Sequence, residues 1–211
     1  MCNLYRMTKG VSEIAKLFEV LPELGVNFGA EVYPGYPGLV VAEGRARTMN
    51  WGFPLALKGR QGQVLKPKPV TNAREDKLLT GFWLPSFKSR RCLIPVNAWA
   101  EADGARGAMT RTWYTLAGED TFAVAGLWRP TVEWGDAYTM VMTDACSQMV
   151  DVHDRMPVIL ARSEWAQWTD GSATEALALC RSCDLELGVE RTVERWAGGT
   201  SAILEREPKL L

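Results

Sequence analysis

The chain reads Phe122-Ala-Val-Ala-Gly-Leu-Trp128 and then, after a polar turn, Tyr138-Thr-Met-Val-Met-Thr143. Both stretches are rich in the β-branched and aromatic residues that favour strands. The same signals recur on either side, in Gly38 to Ala42, Arg47 to Trp51, Cys92 to Glu101 and Thr112 to Leu116. Because these stretches are mostly close in sequence and are separated by Gly or Asp turns, the pattern favours antiparallel pairing.

Helix signals are fewer and lie towards the two ends of the chain. They predict short helices over Ser12 to Leu21, over Glu164 to Trp168 with Ser163 as the cap, and over Ala176 to Cys180 behind a capping box of Ser172 and Glu175. The predicted class is therefore α+β, with mainly antiparallel β-sheets and a few peripheral helices. The length suits a single domain over residues 1–211, and the stretch Thr200 to Leu211 is a candidate tail.

The start of the chain and the cysteines narrow the class of protein. The start lacks the apolar core of a signal peptide, and no stretch of about 18 apolar residues could cross a bilayer, so a cytoplasmic protein with no membrane partner is expected. Five cysteines form an odd set, which favours reduced thiols. Cys180 and Cys183 have the spacing of a zinc or redox pair, but the chain has one histidine and no second such pair. The sequence therefore predicts no metal and no cofactor, and it places both thiols on a helix.

Basic residues are concentrated between positions 45 and 91. That segment holds eleven Lys or Arg and two acids, although the whole chain has a formal net charge of -1. The aromatic residues interleaved with these charges are Trp51, Phe53, Phe82, Trp83 and Phe87. Cations that neutralise phosphates beside rings that stack on bases are typical of a single-strand binding surface. A solvated basic face around ordinary core aromatics fits the same residues equally well.

Cys2 has the most distinctive chemistry, because a small second residue permits removal of Met1 and leaves a free amino-terminal cysteine. Its α-amino group has an unperturbed pKa of about 7.7 to 8.0, so an appreciable fraction is neutral near pH 7 and can attack an aldehyde. The thiol on the adjacent carbon can then close a five-membered thiazolidine on the imine. The plainer alternative is a small residue in a loose terminus.

Three further side chains are candidates for catalysis. His153 is the one imidazole available as a proton carrier near pH 7. Glu101 ends an apolar strand-like run, where it is either a shielded acid or base or the first residue of a polar turn. Asn72 either caps a helix or orients a substrate. Arg74 and Glu75 beside it form a candidate phosphate ligand and its partner.

An ordered series of short segments ties these residues together. It runs Met1-Cys2, Trp51-Gly-Phe-Pro54, Asn72-Ala-Arg-Glu75, Arg91-Cys-Leu-Ile-Pro95 followed by Glu101, Phe122 to Trp128, Thr143 and His153-Asp-Arg-Met-Pro157. This series resembles the SOS response-associated peptidase (SRAP) family over most of the chain. The resemblance implies a mixed α/β fold with antiparallel sheets and a positively charged groove for single-stranded DNA. It also implies a covalent link from the cysteine to abasic sites, and a peptidase activity that removes residue 1.

The resemblance also implies a role for each candidate residue. Cys2 is the crosslinking nucleophile, Asn72 orients it and the opened sugar, and Glu101 and His153 are the acid and base groups. The residues expected to contact DNA are Trp51, Phe53, Arg74, Arg6, Arg90 and Arg91.

The chain departs from the family pattern at two places. It begins Met-Cys-Asn-Leu-Tyr where the family usually begins Met-Cys-Gly-Arg-Phe. An early arginine is therefore replaced by Leu4, and Arg6 is the candidate substitute. The usual aromatic neighbours of Glu101 are replaced by Ala100 and Ala102, which predicts a wider pocket and a less desolvated carboxylate.

The sequence thus predicts a DNA-damage protein that captures abasic sites in single-stranded DNA through Cys2, as a monomer that is nucleoid-associated when bound to DNA. Schiff-base chemistry at the same amine would also permit strand cleavage by β-elimination. Two alternatives stay open: a peptidase or amidohydrolase that uses Cys2 on external substrates, and a single-strand binding module without catalysis. The first predicts turnover of amides, and the second predicts DNA binding that is indifferent to a change of Cys2.

Overall fold

The structure is a computed structural model that describes residues 2–196. Within that range the helices are α1 (Val11–Leu17), α2 (Leu84–Ser89), α3 (Trp165–Asp170) and α4 (Ala173–Ala178). The strands are β1 (Leu4–Arg6), β2 (Leu21–Pro22), β3 (Glu31–Val32), β4 (Pro37–Ala42), β5 (Arg45–Trp51), β6 (Phe53–Lys58), β7 (Val64–Val70), β8 (Asn72–Arg74), β9 (Arg91–Val96), β10 (Ala98–Asp103), β11 (Thr110–Leu116), β12 (Phe122–Thr131), β13 (Gly135–Asp144), β14 (Arg155–Pro157), β15 (Ile159–Leu160) and β16 (Leu187–Arg195). Short 3-10 turns cover Glu75–Lys77 and Arg162–Glu164.

The larger sheet closes on itself. Its neighbours run β14-β13-β12-β9-β4-β5-β2, with β15 paired to β12 and β8 paired to β13. A parallel pairing of β13 with β5, Tyr138 opposite Trp51, joins the two sides of this sheet. Strands β13, β12, β9, β4 and β5 therefore form a ring, and their buried apolar side chains, among them Val40, Ile94 and Tyr138, build the main core.

A second sheet carries the start of the chain. Its order is β16-β11-β10-β1-β3, and every neighbouring pair is antiparallel. β1 lies beside β10 with Leu4 opposite Ala100 and Tyr5 opposite Trp99. Side chains on the two faces of this pair separate: Tyr5 and Trp99 join the main core, whereas Leu4 and Ala100 join a small cluster with Trp113. This pairing places Cys2, just before β1, next to the strand that bears Glu101.

Glycine is required at two places in the ring. Glu43 and Gly44 join β4 to β5 with φ of 52° and 71°, the two positive values of a type I′ hairpin turn. At Gly38 an added Cβ would lie 2.0 Å from the Tyr138 hydroxyl and 2.2 Å from the Tyr5 hydroxyl. The bare backbone of Gly38 therefore lets these two tyrosines meet in the core, where their hydroxyls hydrogen-bond to each other.

The α+β class with mainly antiparallel sheets is confirmed, and the six predicted strand stretches all fall on strands. One of them differs in shape: Cys92 to Glu101 is two strands, β9 and β10, which belong to different sheets. Asn97 holds the corner between them. Its Oδ1 accepts the Thr8 N–H over 2.7 Å and its Nδ2 donates to Thr121 Oγ1 over 3.0 Å.

The helix predictions were right in place but not always in extent. α4 follows the predicted capping box, in which the Glu175 N–H donates to Ser172 Oγ over 3.2 Å. It ends at Ala178, so the prediction that Cys180 and Cys183 lie on a helix was wrong. α1 ends at Leu17 and not at Leu21: Phe18 is its C-cap, and Glu19 has a left-handed φ of 56°, a conformation that commonly ends a helix.

Ser163 is the residue predicted to cap α3. Ser163 does not cap: the Ala161 N–H bonds to Glu164 Oε2 over 2.9 Å instead. The candidate tail, Thr200 to Leu211, lies outside the described residues.

The stretch Gly59 to Pro69 has the composition of an exposed basic loop, but the structure shows otherwise. Most of it belongs to an antiparallel hairpin of β6 and β7 that forms a sheet of its own. Three prolines hide this hairpin from a strand prediction, because proline cannot donate to a ladder and normally marks an edge. Across residues 2–196, none of the helices has the length and apolar character needed to span a bilayer.

Candidate functional site

Two residues that follow the β6–β7 hairpin hold the start of the chain. Asn72 donates from Nδ2 to the carbonyl oxygen of Cys2 over 2.8 Å, and Thr71 donates from Oγ1 to Oδ1 of Asn3 over 3.2 Å. β8 positions Asn72 by pairing in parallel with β13. Asn72 therefore contacts Cys2 and caps no helix, since the next 3-10 turn has Arg74 at its N-cap.

The Cys2 thiol is fully buried and donates to the Leu4 carbonyl oxygen over 3.5 Å. Burial raises the pKa of this thiol, and the negative charge of Glu101 raises it further. The antiparallel pairing of β1 with β10, with Leu4 opposite Ala100, brings the start of the chain alongside the strand that carries this carboxyl. The thiol is protonated at neutral pH in this setting, so it needs a base before it can act as a nucleophile.

Glu101 lies within β10 rather than in a turn, and it is 2% exposed. Burial raises its pKa to about 7, because the ionised carboxylate loses its hydration in an apolar setting. The prediction that Ala100 and Ala102 leave this carboxyl less desolvated was therefore wrong. Successive side chains point to opposite faces of a strand, so Ala100 and Ala102 lie on the face opposite Glu101 and their size does not determine how the carboxyl is covered.

His153 lies in the loop between β13 and β14, and its ring is oriented by the backbone. Nδ1 lies 2.9 Å from the Arg155 backbone nitrogen and 3.1 Å from the Arg155 carbonyl oxygen, so the backbone of Arg155 holds this side of the ring in either tautomer. Partial burial lowers the pKa of the imidazole. The ring is therefore mostly neutral at pH 7 and can accept a proton.

An ion bridge that the sequence did not reveal links the His153 loop to the Glu101 strand. Arg191 on β16 pairs with Asp103 over 3.3 Å and also with Asp151. Asp103 stands two residues after Glu101, and Asp151 stands two residues before His153. Arg191 therefore ties together the segments that carry the two candidate proton-transfer groups, and only sheet pairing brings it there.

Arg155 is a second residue to which the sequence assigned no role of its own, although it belongs to the segment His153 to Pro157. It pairs with Glu75 over 3.2 Å and with Asp144 over 2.9 Å. Glu75 was expected to partner Arg74, which was wrong: Arg74 pairs with Asp76 over 2.9 Å. Arg74 is half-exposed and is available to an anion at the cost of that exposed ion pair.

The prediction that Trp51 and Phe53 stack on DNA bases was wrong, because both rings are fully buried. Trp51 packs edge-on against Tyr5 at 5.0 Å between ring centroids, and its Nε1 donates to the Thr71 carbonyl oxygen over 3.1 Å. Phe53 lies beneath the Arg129 guanidinium, which is 4.0 Å from its ring centroid. Trp51 thus supports the segment that carries Asn72 and has no free face for a base.

The arginines expected to bind DNA separate into three cases. Arg91 was wrongly assigned: it is buried and donates to the carbonyl oxygens of Phe87 and Trp168, so it holds α2 and α3 together. Arg6 pairs with Glu31 over 3.1 Å and lies 3.7 Å above the Trp113 ring, so a phosphate would compete with Glu31 for it. Arg90 is partly exposed and stays a candidate.

Metal binding has no support in the part of the chain that the structure describes: no group of three or more His, Cys, Asp or Glu there could hold an ion. The structure instead brings Cys2, Asn72 and Glu101 together, with His153 linked to the same place through Arg191. Such an arrangement can orient an amino-terminal residue and move protons near neutral pH.

Comparison with known proteins agrees with this architecture. The family model described as SOS response associated peptidase (SRAP) matches residues 1–194. The abasic site processing protein YoqW of Bacillus subtilis strain 168 is 28% identical over 195 residues, which cover 83% of this chain and 83% of YoqW. The abasic site processing protein YoaM of the same organism is 33% identical over 194 residues, which cover 82% of this chain and 81% of YoaM.

A solved structure shows the same fold. A crystal structure of a protein from Bordetella bronchiseptica superimposes with a TM-score of 0.76 at 24% sequence identity, covering 90% of this chain and 99% of that protein. The match to the family model over nearly the whole chain, together with this shared fold, shows that the chain belongs to the SRAP family.

Proposed function

We propose that this protein captures abasic sites in single-stranded DNA by forming a covalent thiazolidine through Cys2. One observation carries the proposal: the Asn72 amide holds the Cys2 carbonyl, while the pairing of β1 with β10 places the start of the chain beside the strand that bears Glu101, a buried carboxyl with a pKa of about 7. The relatives YoqW and YoaM, which are abasic site processing proteins, support the same substrate.

The first step is removal of Met1, which converts the Cys2 amide nitrogen into an amine. An amide nitrogen is neither basic nor nucleophilic, whereas a terminal amine with a pKa of about 7.7 to 8.0 is partly neutral at pH 7. The peptidase in the family description fits such self-processing: the Cys2 thiol, with Glu101 as its base, attacks the Met1 carbonyl carbon, the peptide C–N bond breaks as the Cys2 nitrogen takes a proton, and one water hydrolyses the resulting thioester to release Met1 and restore the thiol. The new amine would stay beside the Asn72 contact that fixes the carbonyl of the same residue.

Capture then proceeds through an imine. The Cys2 nitrogen attacks C1′ of the ring-opened abasic sugar to give a carbinolamine, and loss of one water leaves an iminium. That loss needs a proton on the departing hydroxyl, which Glu101 can supply because about half of it is protonated near its pKa of about 7. His153, neutral at pH 7 because burial lowers its pKa, is the base assigned to ring opening: it takes the proton of the C1′ hydroxyl as the aldehyde C=O forms, and the resulting imidazolium gives that proton to the ring oxygen as its bond to C1′ breaks.

Ring closure uses the thiol. Sulfur adds to C1′ of the iminium, the C=N bond becomes a single bond, and the thiol proton passes to the Glu101 carboxylate left by the preceding step. Glu101 is thereby restored to the acid form, and no external oxidant or reductant is needed. The iminium is also an electron sink, so loss of the 3′ phosphate by β-elimination is a competing lyase outcome.

The non-covalent part of the proposal is a path for the single strand past the pocket. Arg74 is half-exposed and ion-paired with the exposed Asp76, and Arg90 is partly exposed. Both stand in the basic stretch on either side of α2, and exposed cations are what phosphates bind. We propose a monomer that is nucleoid-associated when bound to DNA.

A denaturing gel tests the proposal. Protein whose intact mass shows loss of Met1 is incubated with a single-stranded oligonucleotide that contains one abasic site. A denaturation-resistant adduct is expected from this protein and not from a preparation that retains Met1. An equal yield of adduct from protein that fully retains Met1 would overturn the proposed nucleophile.

A further inference from the structure

A two-stranded arm, residues 53–70, leaves the body of the protein directly before the candidate site. β6 and β7 pair from Phe53 opposite Val70 to Lys58 opposite Val64, and they join neither of the other two sheets. Exposure rises along the arm: Phe53 at its root is 0% exposed, Leu55 is 39% exposed and Val64 is 83% exposed. The arm is therefore anchored in the core at one end and surrounded by solvent at the other.

The charge of the arm has one sign. Its basic residues are Lys58, Arg60, Lys66 and Lys68, and none of the 25 acidic residues of the chain lies between residues 53 and 70. All four cations are exposed. Within residues 2–196 none of them takes part in an ion pair, unlike Arg6, Arg47 and Arg155. An exposed set of cations without counter-charges attracts a polyanion.

We infer that the arm binds the phosphates of a double-stranded DNA segment that flanks the single-stranded abasic strand. A two-stranded β-ribbon has the width to enter the major groove of B-form DNA. No aromatic residue lies between Pro54 and Val70, so the arm lacks the rings that bind unpaired bases by stacking. This inference rests on the proposed function, since it supplies a second contact for the same DNA.

The prolines of the arm argue against a second copy of this chain as the partner. Pro54 lies opposite Pro69 on the arm, and Pro67 stands two residues before Pro69 on the same strand. Strand addition along an edge needs backbone N–H donors, which proline lacks. The exposed strands are therefore poor templates for edge-to-edge pairing, whereas phosphate binding needs only their side chains.

The position of the arm sets the reach of the contact. Val70 at its root stands two residues before Asn72, whose Nδ2 lies 2.8 Å from the Cys2 carbonyl oxygen. A strand of six residues such as β6 spans about 20 Å at about 3.3 Å per residue. That length equals about six base pairs at about 3.4 Å each. The duplex contact therefore begins close to the abasic site and extends over roughly half a helical turn.

The experiment compares undamaged oligonucleotides by fluorescence anisotropy. A fixed single strand is measured alone, with a flanking duplex of about six base pairs, and with one of about twelve, the duplex being placed on the 5′ or the 3′ side. The test variant changes Lys58, Arg60, Lys66 and Lys68 to Gln. The control variant makes the same change of charge at exposed residues outside the arm: Lys16, Arg106, Arg162 and Arg195.

The flank is expected to strengthen binding by the wild type and by the control variant, with the gain complete at about six base pairs. If all four cations contact phosphates, the gain should fall about 100-fold between about 50 and 200 mM salt, from a slope of about -0.9 per contact. The arm variant should lose the gain, keep its affinity for the single strand, and form abasic adducts at an unchanged rate when DNA is saturating.

Three results would overturn the inference. The arm variant could retain the gain, it could lose affinity equally for the single strand, or the control variant could lose the gain to the same extent. Absence of adduct from wild-type protein would refute the proposed function instead, and it would leave the binding comparison on undamaged DNA intact.

Discussion

The buried site formed by Cys2, Asn72 and Glu101 and the arm at residues 53–70 are joined by a single residue, Thr71, yet they follow opposite physical rules. In the buried site, Cys2 and Glu101 are 0% and 2% exposed, and burial moves their pKa values upwards. In the arm, the charges are exposed and remain hydrated. The proposed chemistry therefore depends on desolvation and fixed geometry, whereas the proposed long-range attraction of DNA depends on charge that water can reach.

This contrast predicts that substitutions in the buried site change reaction rates by orders of magnitude, while substitutions in the arm change only the affinity for DNA. Cys2→Ala should have the largest effect, because it removes the sulfur that closes the thiazolidine. The stable adduct should disappear, and the remaining amine should still give a Schiff base that borohydride reduces. A denaturing gel with and without borohydride measures both, and Cys92→Ala, a buried thiol outside the site, is the control. A stable adduct from Cys2→Ala would refute ring closure by sulfur.

Glu101→Gln and His153→Ala should slow adduct formation by roughly 10² to 10⁴ each, the usual contribution of one general acid or base. The wild-type rate should also fall as the pH rises above about 7, because the acid form of Glu101 is then lost. This limb should be missing in Glu101→Gln. Single-turnover kinetics across pH provide the measurement, with anisotropy to show unchanged DNA binding. Wild-type rates in both variants would return these residues to structural roles.

The buried carboxyl should also cost stability. The pKa of Glu101 rises from 4.5 to about 7 on folding, so its ionisation opposes the folded state. The contribution of Glu101 to the free energy of unfolding is fully present below about pH 4.5, decreases as the pH rises to about 7, and is constant above that pH. The total loss is about 3 kcal/mol, at about 1.4 kcal/mol per pKa unit.

Glu101→Gln removes that loss, so the variant should melt roughly 5 to 10 °C above the wild type at pH 8 and show a smaller difference at pH 4.5. Thermal denaturation at both pH values tests this. The control is Glu190→Gln, the same substitution at an exposed glutamate. A difference that does not depend on pH would show that ionisation of Glu101 is not its source.

Arg191→Gln should change the rate of adduct formation less than a substitution of Cys2 or Glu101 does. Its ion pairs with Asp103 and Asp151 are exposed on the arginine side, and such pairs are worth about 0 to 1 kcal/mol. We expect the adduct to form up to about fivefold more slowly, since His153 is held less firmly relative to Glu101, with no change in DNA affinity. Arg195→Gln on the same strand is the matched control. A loss of DNA affinity without a change in rate would instead place Arg191 in the DNA path.

Lys66→Gln in the arm should have the smallest effect on the protein itself. Exposed substitutions usually change the free energy of unfolding by less than about 0.5 kcal/mol, so the urea midpoint should be unchanged. The salt dependence of binding to flanked DNA should become shallower by about one contact. A clear loss of stability would show that the cations of the arm serve the fold.

Several elements of the fold could be predicted from the sequence because their signals are local. The strand stretches at 122–128 and 138–143 and the capping box at Ser172 depend on neighbours a few residues away. The hairpin of β6 and β7 was missed because its prolines and lysines mimic a loop, and pairing across it compensates for them. The break at Asn97 was missed because its bonds reach Thr8 and Thr121, which are distant in sequence.

For the site, the sequence by itself determined the residue types: a cysteine at position 2, one histidine, and an ordered series of motifs that identifies the family. Only the tertiary structure decided which side chains face solvent. Trp51 and Phe53 alternate with cations in the sequence just as a base-stacking surface would, but sheet closure buries both rings. A glutamate after an apolar run looks the same in the sequence whether its carboxyl is exposed or buried. Only the fold buries the carboxyl of Glu101. Burial and ion pairing depend on contacts between distant segments, and a linear pattern cannot determine such contacts.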